Sequence, residues 1–232
     1  NDTNATAALN TVRFLDNEAS YGGGVENSGT LDVTDSLIDG NSATGTGGGL
    51  WNLGGAVTLE RTTVSNNTAH EGGGVSTYGA QLGMTDVNII NNTATGTHGG
   101  GLYHGGGTAF VTNATISGNR ANDPAANGGG VYQNSDDNLT LTNVTLAENE
   151  AGFFGGGLYH YGRYAILTNV TLVENTAGAA GNAIYEDSPM TPASPGVVQI
   201  VNSVVTGSAN NCAGGFFESL GHNISHGTCA PL

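Results

Sequence analysis

Lysine is absent from this 232-residue sequence, and its only arginines are Arg13, Arg61, Arg120 and Arg163. Set against 19 acidic residues, they leave a formal charge of −15. Nucleic acid and anionic membranes are bound through a basic footprint, so neither is an expected partner. The same shortage argues against a lyase acting on acidic sugars, which needs a base and cationic groups to neutralise the uronate. No run of about 18 apolar residues exists, so no membrane-spanning helix and no direct membrane insertion are expected. Prolines number 5, and the 40 glycines follow no collagen-like period. An apolar content of 37% points to glycine at fixed structural positions rather than to disorder. No signal peptide is visible, and the chain reads equally as a mature protein or as a fragment.

What is present is a repeat. Gly-Gly-Gly followed by an apolar residue begins at 22, 47, 72, 99, 128 and 155, and a degraded copy, Gly181-Asn182-Ala183-Ile184, follows. Before each stands apolar-x-x-Asn-x-Ala, with the asparagines at Asn17, Asn41, Asn67, Asn92, Asn119, Asn149 and Asn175. Eight residues before each Asn lies another apolar column: Leu9, Val33, Leu59, Met84, Val111, Leu141 and Leu167. Between the columns the pattern alternates with period 2 and is rich in Thr, Val and Ile, which means short strands. Three short strands per repeat make one coil of a parallel β-helix, because a lone coil cannot bury its apolar face and stacking does. The expected fold is all-β: a right-handed, three-sheet parallel β-helix (a solenoid) of seven to eight coils, the hand following the general rule for parallel crossovers. The chain reads as one domain, 1–232, with a lead-in over 1–8, regular coils over 9–190, and a last coil and cap over 191–232. The Asn column is expected to form an amide ladder at a corner.

Cys212 and Cys229 are the only cysteines. A disulfide between them would tie a terminal loop over the last coil and contribute about 3 kcal/mol. The alternative is two buried thiols. The bond would imply an oxidising location, secreted or on the cell surface.

Phe14-Leu15-Asp16-Asn17 and Gly181-Asn182-Ala183-Ile184 resemble the Phe-x-x-Asn and Gly-Gly-Ala-Ile motifs of polymorphic outer-membrane protein repeats. The ending, Asn211-Cys212, then Ser219-Leu220-Gly221-His222-Asn223, then Gly227-Thr228-Cys229, is similar to that of bacterial right-handed β-helix proteins of the choice-of-anchor Q type. The resemblance implies adhesion, surface display or a structural role.

Candidate sites follow from the register. The column Glu26, Trp51, Ser76, Tyr103, Tyr132, Tyr159, Tyr185 should point outward by alternation. It is either an aromatic platform for sugar rings or a partner protein, or a ladder that stabilises its own sheet. Glu148, Glu150 and Glu174 occupy neighbouring turn positions and form either a weak Ca²⁺ site or a solvated face. His104 and His160 share a column with Gln133 between them, too far apart for one metal ion. His98 stands one coil from Glu71, which suggests an ion pair. No motif requires a cofactor, and Ca²⁺ is the one ion suggested. The expected function is a non-enzymatic structural or adhesive protein, self-associating end to end or binding a polysaccharide or surface partner. The alternative is a glycan-active enzyme, a polysaccharide lyase or glycoside hydrolase. A hydrolase would need two separated carboxylates in a cleft, and the outward positions are mostly Thr, Asn, Ser and Tyr.

Overall fold

Each repeat folds where its own pattern dictates. Thr30–Thr34 and Leu37–Asp39 alternate inward and outward residues. Asn41 then turns the corner into the two-residue strand Ser42–Ala43, and the Gly triplet at 47–49 leads into Leu50–Leu53. The next coil begins at Val57–Glu60. The computed structural model describes residues 1–79, 81–187 and 196–229. The boundary expected near residue 190 lies outside them.

Every strand pairs in parallel with its counterpart one coil on, as in Val33↔Leu59 and Val64↔Ile89. Three sheets result, of 16, 7 and 8 strands, and the described residues contain no helix. Sheet I carries the first two strands of every coil, which fuse into Ala109–Ser117 and Leu139–Ala147 in coils 5 and 6. Sheet II is the stack of two-residue corner strands, and sheet III, following the glycines, has one strand from each of eight coils. Phe216–Ser219 and Ile224–Ser225 add a last layer to sheet I. The architecture is therefore an all-β, three-sheet parallel solenoid of about eight turns.

The interior is a pile of like residues. Leu31, Val57, Leu82, Ala109, Leu139, Ala165 and Val198 follow one another along one column and are all buried. Each larger member contributes roughly 2 kcal/mol through burial. At the corner between sheets I and II, Asn119 shows the ladder in full. Its backbone N–H and Nδ2 both donate to Asn149 Oδ1, at 3.1 and 3.0 Å, and Nδ2 also donates to the Ile89 carbonyl. Its own Oδ1 accepts from Asn92 in the same way. The pattern runs from Asn17 to Asn175. A second, exposed amide ladder joins Asn113, Asn143, Asn169 and Asn202 at the bend within sheet I.

The glycine triplet is needed for two reasons, both clear in coil 4. Gly99 has φ +73°, in the left-handed region. A Cβ on Gly100 would lie 2.5 Å from the Gly129 carbonyl oxygen, so the coils could not approach. At the C-terminal end Cys212 and Cys229 form a disulfide, and both are buried.

Candidate functional site

Sheet III holds most of the chemistry. Its strands alternate, so Leu158 enters the core, Tyr159 faces out, His160 faces in and Tyr161 faces out. In register, Trp51 pairs with Ser76, Ser76 with Tyr103, and Tyr103, Tyr132, Tyr159 and Tyr185 succeed one another. The tyrosine rings stack along the axis: 5.1 Å between Tyr103 and Tyr132, 4.8 Å between Tyr132 and Tyr159, 5.8 Å between Tyr159 and Tyr185.

The outward column is not an open platform. Tyr103, Tyr132 and Tyr159 are only 6–7% exposed. Their faces are covered by one another and by residues from the loops ahead of the glycines. His98 stacks on Tyr132 at 4.3 Å, and Phe154 on Tyr185 at 4.0 Å. Trp51 is half-buried and stacks on Tyr21 at 4.8 Å. Tyr21, His98 and Phe154 each stand immediately before a Gly triplet and lie on the aromatic of the following coil. These tyrosines fit the alternative of a ladder that stabilises its own sheet, an internal aromatic spine, because ring faces already in contact offer none to a ligand. His98 does not pair with Glu71 as expected. It lies on Tyr132, its Nδ1 accepts the Asn127 N–H at 3.0 Å, and burial lowers its pKa.

Carboxylates hold the spine's hydroxyl ends. Tyr78 donates to Glu71, and Tyr159 donates to Asp187 at 2.5 Å. Burial, then the carboxylate partner, raises the pKa of both phenols. Burial also raises those of Tyr103 and Tyr132, so the spine stays neutral over the physiological range.

Behind it runs a polar column inside the coil: Asn27, Asn52, Thr77, His104, Gln133, His160 and Glu186, all at most 1% exposed. Asn27 Nδ2 donates to Asn52 Oδ1 at 2.7 Å, and Asn52 Nδ2 to Thr77 Oγ1 at 3.4 Å. His104 Nε2 donates to the Gly107 carbonyl at 2.7 Å, and Gln133 Nε2 to the Asp137 carbonyl at 2.9 Å. His160 Nδ1 meets the Glu186 carboxylate. Burial lowers the His104 pKa, partly offset by its bond to Gly107 and by Asp137.

Where these strands end, a cleft of about 310 Å³ opens on the outer surface. Gly105, Gly106, Asn134, Ser135, Asp136, Asp137 and Tyr161 line it. Asp137 is fixed: its Oδ2 accepts the Gly107 N–H at 3.0 Å, and its own N–H donates to Ser135 Oγ. Tyr161 is 40% exposed. The sequence pattern did not mark this cleft, because the connections after sheet III vary little in length. Its one visible signal is the Asp136-Asp137 pair beside a tyrosine column.

The three glutamates do not converge. Glu150 pairs with Arg120 at 2.7 Å across adjacent coils. Glu148 and Glu174 occupy left-handed corner positions, φ +56° and +55°, with exposed side chains. Among the described residues no group of three or more His, Cys, Asp or Glu side chains is arranged to hold a metal ion. Arg120 supplies a charge partner for Glu150, and the exposed Glu148 and Glu174 fit the solvated-face alternative.

Comparison with known proteins finds no matching family model, no matching curated protein and no matching solved structure. What stands is the parallel solenoid itself. The disulfide is the mark of an oxidising, extracellular-type environment. No described helix is long and apolar enough to cross a membrane.

Proposed function

We propose that this chain is a secreted or surface-displayed structural and adhesive rod of the polymorphic outer-membrane repeat kind, with a choice-of-anchor Q-type ending. The observation that carries the reading is where its side chains spend their bonds. Two asparagine ladders and the aromatic spine bind along the axis, coil to coil, as do the Asn27–Asn52–Thr77 and His160–Glu186 stretches of the inner polar column. Such a chain resists bending and shear, which a scaffold needs. Stability is then a sum over neighbouring coils. The spine's carboxylates, Glu71 and Asp187, are four coils apart, roughly 19 Å at the strand spacing. That is well beyond the roughly 5–9.5 Å of a glycosidase pair, so the rod reading accounts for them better as hydroxyl partners.

End-to-end association belongs to the same reading. The last layer on sheet I leaves Phe216, Leu220 and Ile224 exposed at 48, 50 and 67%, and among the described residues its strands are paired on one edge only. Open edges of this kind recruit strands, and a head-to-tail contact propagates into a filament.

Two measurements test the reading. Polysaccharides incubated with the protein should release no new reducing ends or unsaturated products; turnover abolished by a single carboxylate substitution would replace the rod with an enzyme. Light scattering and electron microscopy over a concentration series should show axial assembly, weakened by Ile224→Lys. Monodisperse single rods at high concentration would remove the end-to-end part.

A further inference from the structure

We propose that the cleft beside Tyr161 is a binding subsite for an uncharged sugar ring, the point at which the rod engages a neutral glycan. The inference rests on the adhesive reading above and gives it an address.

Tyr161 carries the argument. Sheet III offers two outward columns, and the tyrosines of the first are consumed by mutual stacking. Tyr161 lies in the second column, paired in register with Asn134, and it enters no ring stack among the described residues. An exposed aromatic at the side of a concave site is what the apolar C–H face of a sugar packs against, and a few polar groups then fix its orientation. Those groups are present. The Asn134 side chain is exposed, and its amide brings both donors and an acceptor. Asp136 is exposed and accepts no hydrogen bond among the described residues, so its carboxylate faces the cleft ready for a pair of sugar hydroxyls. Asp137 is spent on the Gly107 N–H and Ser135, which holds the loop in one shape before any ligand arrives. Ordering cost on binding is reduced in proportion.

Size and charge narrow the ligand. A volume of about 310 Å³ lies at the lower limit of small-molecule sites, enough for roughly one ring. Two carboxylates and no arginine or histidine line it, on a chain of charge −15. Uronates, sulfated sugars and phosphates are repelled; neutral hydroxyls are not. Gly105 lets the floor of the site pack directly on the spine: a Cβ there would meet the Tyr78 and Tyr103 rings at 2.9 and 2.8 Å.

The test is affinity electrophoresis of the whole chain in gels containing mixed-linkage β-glucan, xylan, galactomannan or mannan, with polygalacturonate as the acidic control. At least one neutral polysaccharide should retard the protein, and polygalacturonate should not. Tyr161→Ala should weaken the interaction tenfold or more and Asp136→Asn severalfold. Phe110→Ala, an exposed aromatic on sheet I, should change nothing. Circular dichroism of each variant checks that the solenoid is intact. No retardation by any neutral polysaccharide overturns the proposal, as does an equal loss in Phe110→Ala. Retardation abolished by EDTA would make the cleft a cation site and also overturn it. Binding unchanged in Tyr161→Ala removes the cleft but leaves the adhesive rod standing, whereas release of reducing ends removes the rod reading itself.

Discussion

The rings of Tyr132 and Tyr159 lie face to face across one coil spacing, centroids 4.8 Å apart and planes 9° apart. Tyr132 is flanked on its other face by Tyr103 and His98. Truncating it opens a gap in the middle of the spine, so Tyr132→Ala should cost about 3 kcal/mol in urea unfolding. Tyr132→Phe should stay within about 1 kcal/mol, because the stack is kept and this hydroxyl holds no carboxylate. Tyr159→Phe should cost about 1–2 kcal/mol more than that, since it loses the bond to Asp187. A Tyr132→Phe loss as large as that of the alanine variant would mean that the phenol, not the stack, matters.

The Asn119 side chain sits mid-ladder and makes four hydrogen bonds to three residues, two with Asn92 and one each with Ile89 and Asn149. All are buried, and each orphaned group costs about 1–3 kcal/mol. Asn119→Ala should therefore destabilise by about 3 kcal/mol or more. Asn17→Ala, at one end of the described ladder and partly exposed, should cost about 1 kcal/mol. Thermal unfolding of the two variants side by side checks the gradient. Equal losses would argue against a ladder whose strength depends on neighbours.

The coils were legible because the chain repeats itself. Seven copies of one pattern expose its columns, and Val33, Leu59 and Met84 fall on one buried line because period 2 allows nothing else. Alternation also placed Tyr132 on the outer face. What alternation does not encode is what else covers that face. Tyr21, His98 and Phe154 do so, and their shared place before a glycine triplet becomes meaningful only once the loops are seen to fold back. Arg120 and Glu150 are legible as a pair, since each follows a ladder asparagine and so falls in one register column. The cleft at Tyr161 depends on loop conformation, which the repeat leaves free.

The Cys212–Cys229 bond closes a loop of 17 residues, which corresponds to about 3 kcal/mol of restricted unfolded-state freedom. In a stack whose coils contact only their neighbours, the loss should be local. Cys212→Ser with Cys229→Ser should raise amide exchange in 197–229 by a hundredfold or so, the equivalent of about 3 kcal/mol, and leave the Asn41–Asn119 stretch of the ladder unchanged. Uniformly faster exchange would show that the end coils and the centre unfold together.

Acid should loosen the spine before it touches the surface carboxylates. In the folded chain His98 and His104 both have pKa values lowered by burial from the ordinary 6.5. His98 Nδ1 is occupied by the Asn127 N–H, and His104 Nδ1 is buried with no partner among the described residues, so a proton on either ring adds buried charge that Asp123 and Asp137 only partly offset. Between the folded values and 6.5, the unfolded chain binds more protons than the folded one. Unfolding then takes up protons, and stability must fall as pH falls from about 7 through that window, then level off once both states are protonated. Asp35 and Asp39 act in a separate window. Their pKa values are lowered from 3.8 by hydrogen bonds, from Arg61 to Asp35 and from Ser65 and Asn66 to Asp39, so their stabilisation is lost only in stronger acid. Urea midpoints measured from pH 8 to 4.5 should therefore decline in the parent and decline less in His98→Phe, which keeps a ring on Tyr132 without a titrating nitrogen. His104→Gln should flatten the remainder. A parent profile that is level down to pH 4.5, or one that rises on acidification, would show that the buried rings accept protons at no cost.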